Sequence, residues 1–289
     1  MTTVSELSRR DLIRQDLAAV VDLEPGLLDA RSRLADIGLD SLGMMRLMVR
    51  LEALGVTLDT VELDPGTKVG EVLTLLEHAT NPAVTIRLGS DGSSVQGGLL
   101  GLPAPARALA DPLAPVLRTS AFHLTPVRPD DLDFLFSLAT SPATSFRWRY
   151  RGAPPSMERF REGLWQQILV QYVARRLDND EPVGHVMSYG ADPGMRYAYV
   201  GAAFTPAFAG TGLAARAVAV FMRHLFHLFP LHKLYLQIPG YNWHQMSSGQ
   251  GDLFQVEGVL KDHCYLAGQL WDEYLCAVYA EQFGDVGED

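Results

Sequence analysis

Apolar positions follow two different rhythms along the chain. From Asp11 to Leu23 they recur at Leu12, Ile13, Leu17, Val20 and Val21, close to the 3.6-residue period that places them on one helix face. Pro25-Gly26 ends that helix. Ser41 to Leu54 repeats the pattern, with Leu42, Met45, Leu47, Met48, Leu51 and Leu54 available for burial. A short turn of helix fits Val61–Asp64, and Thr67 is placed to cap a last helix through Val69, Val72, Leu73, Leu75 and Leu76. Four helical pieces in residues 1–80 predict a small all-α four-helix bundle.

After residue 119 the rhythm changes to strands alternating with helices. Strands are expected at Phe122–Val127, Leu169–Arg175, Val183–Tyr189, Tyr197–Phe204, Lys233–Ile238, Phe254–Leu260 and Tyr274–Tyr279. Helices are expected around Pro129–Ala139, Ser156–Trp165 and Gly212–Phe229. Residues 119–289 therefore read as one mixed-sheet α/β domain. Between the two domains, half of residues 81–118 are Gly, Pro, Ala or Ser, a linker composition. As a flexible coil that stretch spans roughly 31–37 Å, which tethers its ends at an effective concentration on the order of mM.

Charge narrows the partners. The net charge is −10, and the first 80 residues hold 14 acidic and 8 basic side chains. No basic cluster exists to neutralise phosphates, so nucleic acid is not expected as a partner. No apolar run reaches the roughly 18 residues of a membrane span, and no membrane partner is expected. Met1–Glu6 lacks the basic-then-apolar pattern of a signal peptide. With Cys264 and Cys276 as the two cysteines, reduced thiols and a cytoplasmic protein are expected. His224 and His227 share a helix face, but no carboxylate follows at ligand spacing, so no metal site is expected.

The densest chemistry of the first domain is Asp36-Ile37-Gly38-Leu39-Asp40-Ser41-Leu42. A serine at a helix N-terminus is ordinarily a cap. Here Gly38 and Asp40 hold it on an exposed turn, an apolar face starts at once with Leu42, and the positive helix end suits a phosphodiester. Residues 5–79 resemble an acyl or peptidyl carrier protein. The resemblance implies 4′-phosphopantetheine on Ser41, a phosphopantetheinyl transferase and carrier-loading enzymes of a biosynthetic pathway. Free-standing carriers of fatty-acid synthesis have an acidic second helix, whereas Arg46 and Arg50 stand here, so a carrier with restricted partners is expected.

In the second domain the richest stretch is Phe204–Ala214, between a strand and a long helix. Gly210 and Gly212 allow backbone N–H groups to turn toward an anion at the helix N-terminus. The spacing resembles the pyrophosphate loop of the GNAT superfamily of acyl-CoA N-acyltransferases, Arg/Gln-x-x-Gly-x-Gly/Ala, whose key positions fall on Ala209, Gly212 and Ala214. Asn242 after the next strand is a further match. Phe254–His263 and Gly268 with Trp271–Tyr274 resemble the branch that acetylates ribosomal-protein and small-molecule amines. The resemblance implies acetyl-CoA or another acyl-CoA held by Gly210, Thr211, Gly212, Leu213, Ala214 and Asn242, with a small-molecule amine as acceptor. Two positions depart from the family: the polar loop residue is Ala209, and the tyrosine that often acts as general acid falls on Gly249.

For proton handling the candidates are Tyr265, His263, His185 and Glu257, the last also able to pair with Lys261. Arg147, Trp148, Arg149 and Tyr150 are candidates to line the acceptor pocket. The expectation is a carrier-fused N-acyltransferase of specialised, antibiotic-like metabolism, with either the acyl group or its acceptor on Ser41. Acyl loading of the carrier thiol and a catalytically inactive docking module are the alternatives.

Overall fold

The computed structural model describes residues 9–20, 24–53, 56, 63–75 and 117–283. The N-terminal part holds three α-helices: α1 (Arg9–Val20), α2 (Ser41–Ala53) and α3 (Val69–Leu75). Their core is Ile13 and Leu17 of α1, Met44, Leu47, Met48 and Leu51 of α2, and Val69, Val72 and Leu73 of α3. Val61 and Glu62 of the expected Val61–Asp64 turn, and the expected linker apart from Leu117 and Arg118, lie outside the described residues.

Two local details differ from expectation. Asp40, not Ser41, caps α2: its Oδ1 accepts from the Leu42 and Gly43 amides at 3.1 and 2.8 Å. Ser41 makes no side-chain hydrogen bond to any described residue, which leaves its hydroxyl available. Thr67 does not cap α3, because its hydroxyl turns back to Asp64 at 3.4 Å. Glu71 instead reaches back to the Lys68 amide at 3.0 Å.

The second domain is a seven-stranded mixed sheet. Its strands are β1 (Phe122–Pro126), β2 (Ile168–Arg176), β3 (Pro182–Asp192), β4 (Tyr197–Phe204), β5 (Lys233–Pro239), β6 (Gln255–Leu266) and β7 (Gln269–Tyr279). The spatial order is β1-β2-β3-β4-β5-β7-β6. Every pairing is antiparallel except β4 with β5. That parallel pairing covers Tyr197–Tyr199 against Lys233–Tyr235 and then stops. Beyond it β4 keeps its β3 partner but opens on the β5 side, so alternate backbone N–H and C=O groups face the gap.

Helices α4 (Leu132–Thr140) and α5 (Met157–Gly163) precede β2, and α6 (Leu213–Leu228) crosses from β4 to β5. Helix α6 buries Ala217, Val220, Phe221 and Leu225 in the core. A one-turn helix α7 (Gly240–Trp243) follows β5. Strands β6 and β7 run well past the expected Phe254–Leu260 and Tyr274–Tyr279. Polar Lys261-Asp262-His263 hides the alternation there, and Asp262 sits at a positive φ of 50° within a register shift.

Glu257 of β6 joins this sheet face rather than Lys261. Its carboxylate accepts from Tyr279 at 2.5 Å, Tyr235 at 2.7 Å and Lys233 at 2.9 Å, while Lys261 pairs with Asp272 at 2.8 Å. The Tyr279 hydroxyl foremost, with Tyr235 and Lys233, holds the Glu257 carboxyl down to about 2. A lowered carboxyl pKa stabilises the fold above the ordinary value of 4.5, and the gain fades as pH falls toward 2. Glu257→Gln should therefore cost up to about 1 kcal/mol at neutral pH, the range of partly exposed ion pairs. Thermal melts across pH should show the difference from the parent shrinking on acidification.

Candidate active site and carrier seat

The opening between β4 and β5 is one wall of a cavity of about 770 Å³. Val200–Phe204 of β4 and Leu236–Pro239 of β5 line it, as do Gly210, Gly212 and Ala214 at the start of α6. Ser41, Leu42 and Met45 of helix α2 line it as well. The serine of the first domain thus opens into the cavity of the second.

Helix α2 is seated there by shape and charge together. Met44, Leu47, Met48 and Leu51 face the helical bundle, while Leu42 and Met45 belong to the core of the sheet domain. In return Leu213 of α6 packs against the bundle core. Fully burying a Leu or Met side chain contributes roughly 1.5–3 kcal/mol, so two such residues give the seat real weight. Arg216 of α6, almost wholly buried, grips Glu52 of α2 with two bonds of 2.7 and 2.9 Å. Asp40 accepts from the Ser248 amide at 3.0 Å and from its hydroxyl. Arg46, one of the two basic residues on α2, bonds Asp252 at 2.6 Å, so it serves this docking.

Two glycines make the approach possible. Gly212 has a φ of 80°, and a Cβ there would lie 2.5 Å from the Met45 amide nitrogen. A Cβ on Gly249 would collide with the Leu42 side chain. Gly249, the position where the resemblance implies a tyrosine, is thus a close packing contact of the docked carrier helix. Pro65 lies 3.2 Å from the Cβ position of Gly210, so the first domain covers the glycine loop from a second side.

Of the residues expected to hold a cofactor, Ser41, Gly210, Gly212, Ala214 and Asn242 line the cavity together. Thr211 instead hydrogen-bonds the Phe208 carbonyl at 3.0 Å, and Leu213 turns to the bundle. The Asn242 side-chain oxygen is buried without a hydrogen-bond partner among the described residues. Such an oxygen is costly unless a ligand N–H reaches it. A free serine hydroxyl, an open strand edge and this acceptor fit a phosphopantetheine arm with its two amides. Met45 and Pro65 pack against Gly212 and Gly210, so the docked carrier narrows the approach to this loop.

The expected proton carriers are not brought to the cavity. Tyr265 is 73% exposed on the β6–β7 hairpin, His263 is solvent-facing, and Glu257 is held in its own cluster. His185 is buried, bonds Gln171 at 2.9 Å and is pushed down to about 3 by burial, with the Arg149 charge adding to it. It stays neutral at physiological pH and does not line the cavity. Sequence reading missed Tyr189 and Gln237, which do line it and meet across the β4–β5 opening at 3.2 Å. Burial first, then the Glu273 charge, raises the Tyr189 phenol above its ordinary value, so it keeps its proton. Of the four acceptor-side candidates, Arg147, Trp148 and Arg149 line the cavity and Tyr150 does not.

Residues 122–244 match the profile of the acetyltransferase (GNAT) domain, and residues 11–76 match that of the phosphopantetheine attachment site. The chain joins a phosphopantetheine carrier domain to a GNAT acyltransferase domain. Among solved structures it is similar to a spermidine N-acetyltransferase from Vibrio cholerae in complex with CoA and spermine. That likeness has 18% identity and a TM-score of 0.52, over 58% of this chain and 100% of the other. It is also similar to a GNAT-family acetyltransferase from Bacillus anthracis, with 17% identity and a TM-score of 0.46, over 55% and 95% of the two chains. At 18% identity the first of these speaks for the fold of the acyltransferase domain alone. No curated protein sequence matches the chain. Among the described residues no helix is long and apolar enough to cross a membrane.

Gly249→Tyr, which restores the family's tyrosine, should unseat α2 rather than improve the enzyme. Limited proteolysis of the region between the domains should accelerate, and Glu52→Gln should act in the same direction through the loss of its Arg216 pair, by about 1–3 kcal/mol.

Proposed function

We propose that this protein is an N-acyltransferase whose acyl donor rides on its own Ser41 arm and whose acceptor is a small amine. The observation that carries the reading is the docked carrier: Ser41 lines the same cavity as Gly210 and Gly212, and the Met45 backbone packs against Gly212. The glycine loop is where the donor thioester enters in the family this domain resembles. A donor on the arm, rather than on diffusible acyl-CoA, also makes sense of Ala209, since the arm brings one phosphate and no nucleotide.

The arm supplies an acyl thioester, whose carbon the neutral amine attacks as a C–N bond forms and the C–S bond breaks. Backbone N–H groups on the free edge of β4 polarise the thioester carbonyl. The Asn242 oxygen accepts an amide N–H and fixes depth in the cavity. Among the described lining residues the ionisable groups are three arginines and Tyr189. The arginines stay charged. Tyr189, protonated and at the opening, is our candidate to give a proton to the departing sulfur, and its phenolate then takes up the proton that the attacking nitrogen loses. Carrier docking supplies orientation beyond the effective concentration of a tether.

Loading of the arm requires a phosphopantetheinyl transferase and a pathway that charges it. A cytoplasmic role in specialised, antibiotic-like metabolism follows from this fusion and from two unpaired buried cysteines. Kinship with the branch acting on ribosomal-protein and small-molecule amines rests on the Phe254–His263 and Trp271–Tyr274 stretches.

The test is intact-protein mass spectrometry on the chain charged at Ser41 with acetyl-phosphopantetheine and mixed with a panel of amines. The acetyl mass should leave the arm and appear on an amine, and Gly249→Tyr should slow this at least about ten-fold, the cost of losing orientation. Full turnover of free acetyl-CoA by Ser41→Ala would sink the reading. Tyr189→Phe should lower the single-turnover rate roughly 10²-fold while leaving the carrier docked.

A further inference from the structure

The acceptor half of the cavity carries a charge pattern that the transfer chemistry does not use. Arg147, Arg149 and Arg151 line it, and no Asp, Glu or Lys does among the described residues. All three lie on the Ser141–Gly152 segment between α4 and α5. The indole of Trp148, between the first two, packs against β4 at the opening, 3.2 Å from where a Gly201 Cβ would stand. The segment therefore flanks the cavity where β4 opens on the β5 side.

The arginines differ in what already occupies them. Arg151 is spent on Glu273, a buried carboxylate behind the wall, at 3.2 Å, and on Cys264 at 3.0 Å. Arg149 reaches the carbonyls of Gly163 and Leu164, at the C-terminal end of α5, at 3.0 and 3.5 Å. These are neutral acceptors, and they leave its charge without a carboxylate. Arg147 lies over the Phe146 ring at 4.8 Å and has no ion-pair partner among the described residues. Two arginines of the lining thus have no carboxylate partner among the described residues, one of them partly desolvated.

Such a lining repels a polycation. An alkylammonium of pKa near 10.4 is almost wholly charged at pH 7 and cannot attack a thioester in that form. Here no lining carboxylate offsets its charge or takes its proton. A positive field favours the neutral amine, and the planar fork of a guanidinium matches the paired oxygens of a carboxylate or phosphate. Resting on the acyltransferase reading above, we infer that the acceptor is an amine bearing an anionic group, a carboxylate or a phosphate, held by Arg147 and Arg149. This differs from the polycation named for the Vibrio cholerae enzyme.

Binding of N-acetylated products to the apo chain tests this without any arm chemistry, so its outcome is independent of whether the donor sits on Ser41. Calorimetric titration would use N-acetylglycine beside N-acetylglycinamide, N-acetylglucosamine 6-phosphate beside N-acetylglucosamine, and N-acetylspermidine. At least one anion should bind about ten-fold or more tighter than its neutral partner, and the preferred pair tells carboxylate from phosphate. Arg147→Gln should erase most of that preference, and Arg147→Glu should raise the affinity for N-acetylspermidine. Arg147 is exposed, so these variants keep the fold even if an Arg149 variant disturbs α5. Equal binding of anions and their neutral partners, N-acetylspermidine as the tightest ligand, or no anion binding at all would overturn the inference.

Discussion

Everything functional in this protein depends on the close approach of helix α2 to the glycine loop at the start of α6. The missing Cβ at Gly212 lets the Met45 backbone come within contact of the loop, where a Cβ would stand 2.5 Å from the Met45 amide nitrogen. Once that contact forms, Asp40 serves two masters: it caps α2 and accepts from Ser248. Arg216, buried with Glu52, makes separation costly, because an unpaired buried guanidinium has lost its water without regaining a partner. A flexible tether alone would supply concentration. The seat adds direction, and direction is what points Ser41 into the cavity.

The same contact reinterprets the two family positions that this chain lacks. Ala209 and Gly249 look, along the sequence, like lost machinery. In three dimensions Gly249 is the space into which Leu42 fits, and a tyrosine there would exclude the carrier. Proton delivery then needs another source, and Tyr189 reaches the opening from the neighbouring strand β3. Arg46 on α2 finds its partner, Asp252, inside the same chain, so this basic residue serves docking within the protein.

The arginines beside Trp148 give the cavity a sign. Their segment reads in sequence as alternating Arg and aromatic residues, a pattern equally suited to a surface loop. The packing of Trp148 against β4 brings this segment to the cavity, whose lining includes Arg147 and Arg149. The fold shared with the Vibrio cholerae enzyme says nothing of this sign, because a common backbone can hold a pocket of either charge.

Legibility followed the physical character of each signal. Gly210, Gly212 and Ser41 were readable because positive φ angles and a helix N-terminus leave marks in a few adjacent residues. The strands were readable from alternation, except where Lys261–His263 interrupt it in an exposed hairpin. The proton carriers were not readable: Tyr265, His263, Glu257 and His185 have suitable chemistry, but strand period tells which face a side chain takes, not which edge of a seven-stranded sheet lies beside it. The pairing of Tyr189 with Gln237 joins residues 48 positions apart, across an opening created by a parallel pairing that ends early. By itself the sequence determined the helical and the mixed-sheet parts and the glycine turn before α6, because these rest on periodicity and local backbone geometry. The tertiary structure decided that the arm's helix covers the loop, and which side chains face the reacting atoms, because those depend on contacts between segments that the chain order keeps apart.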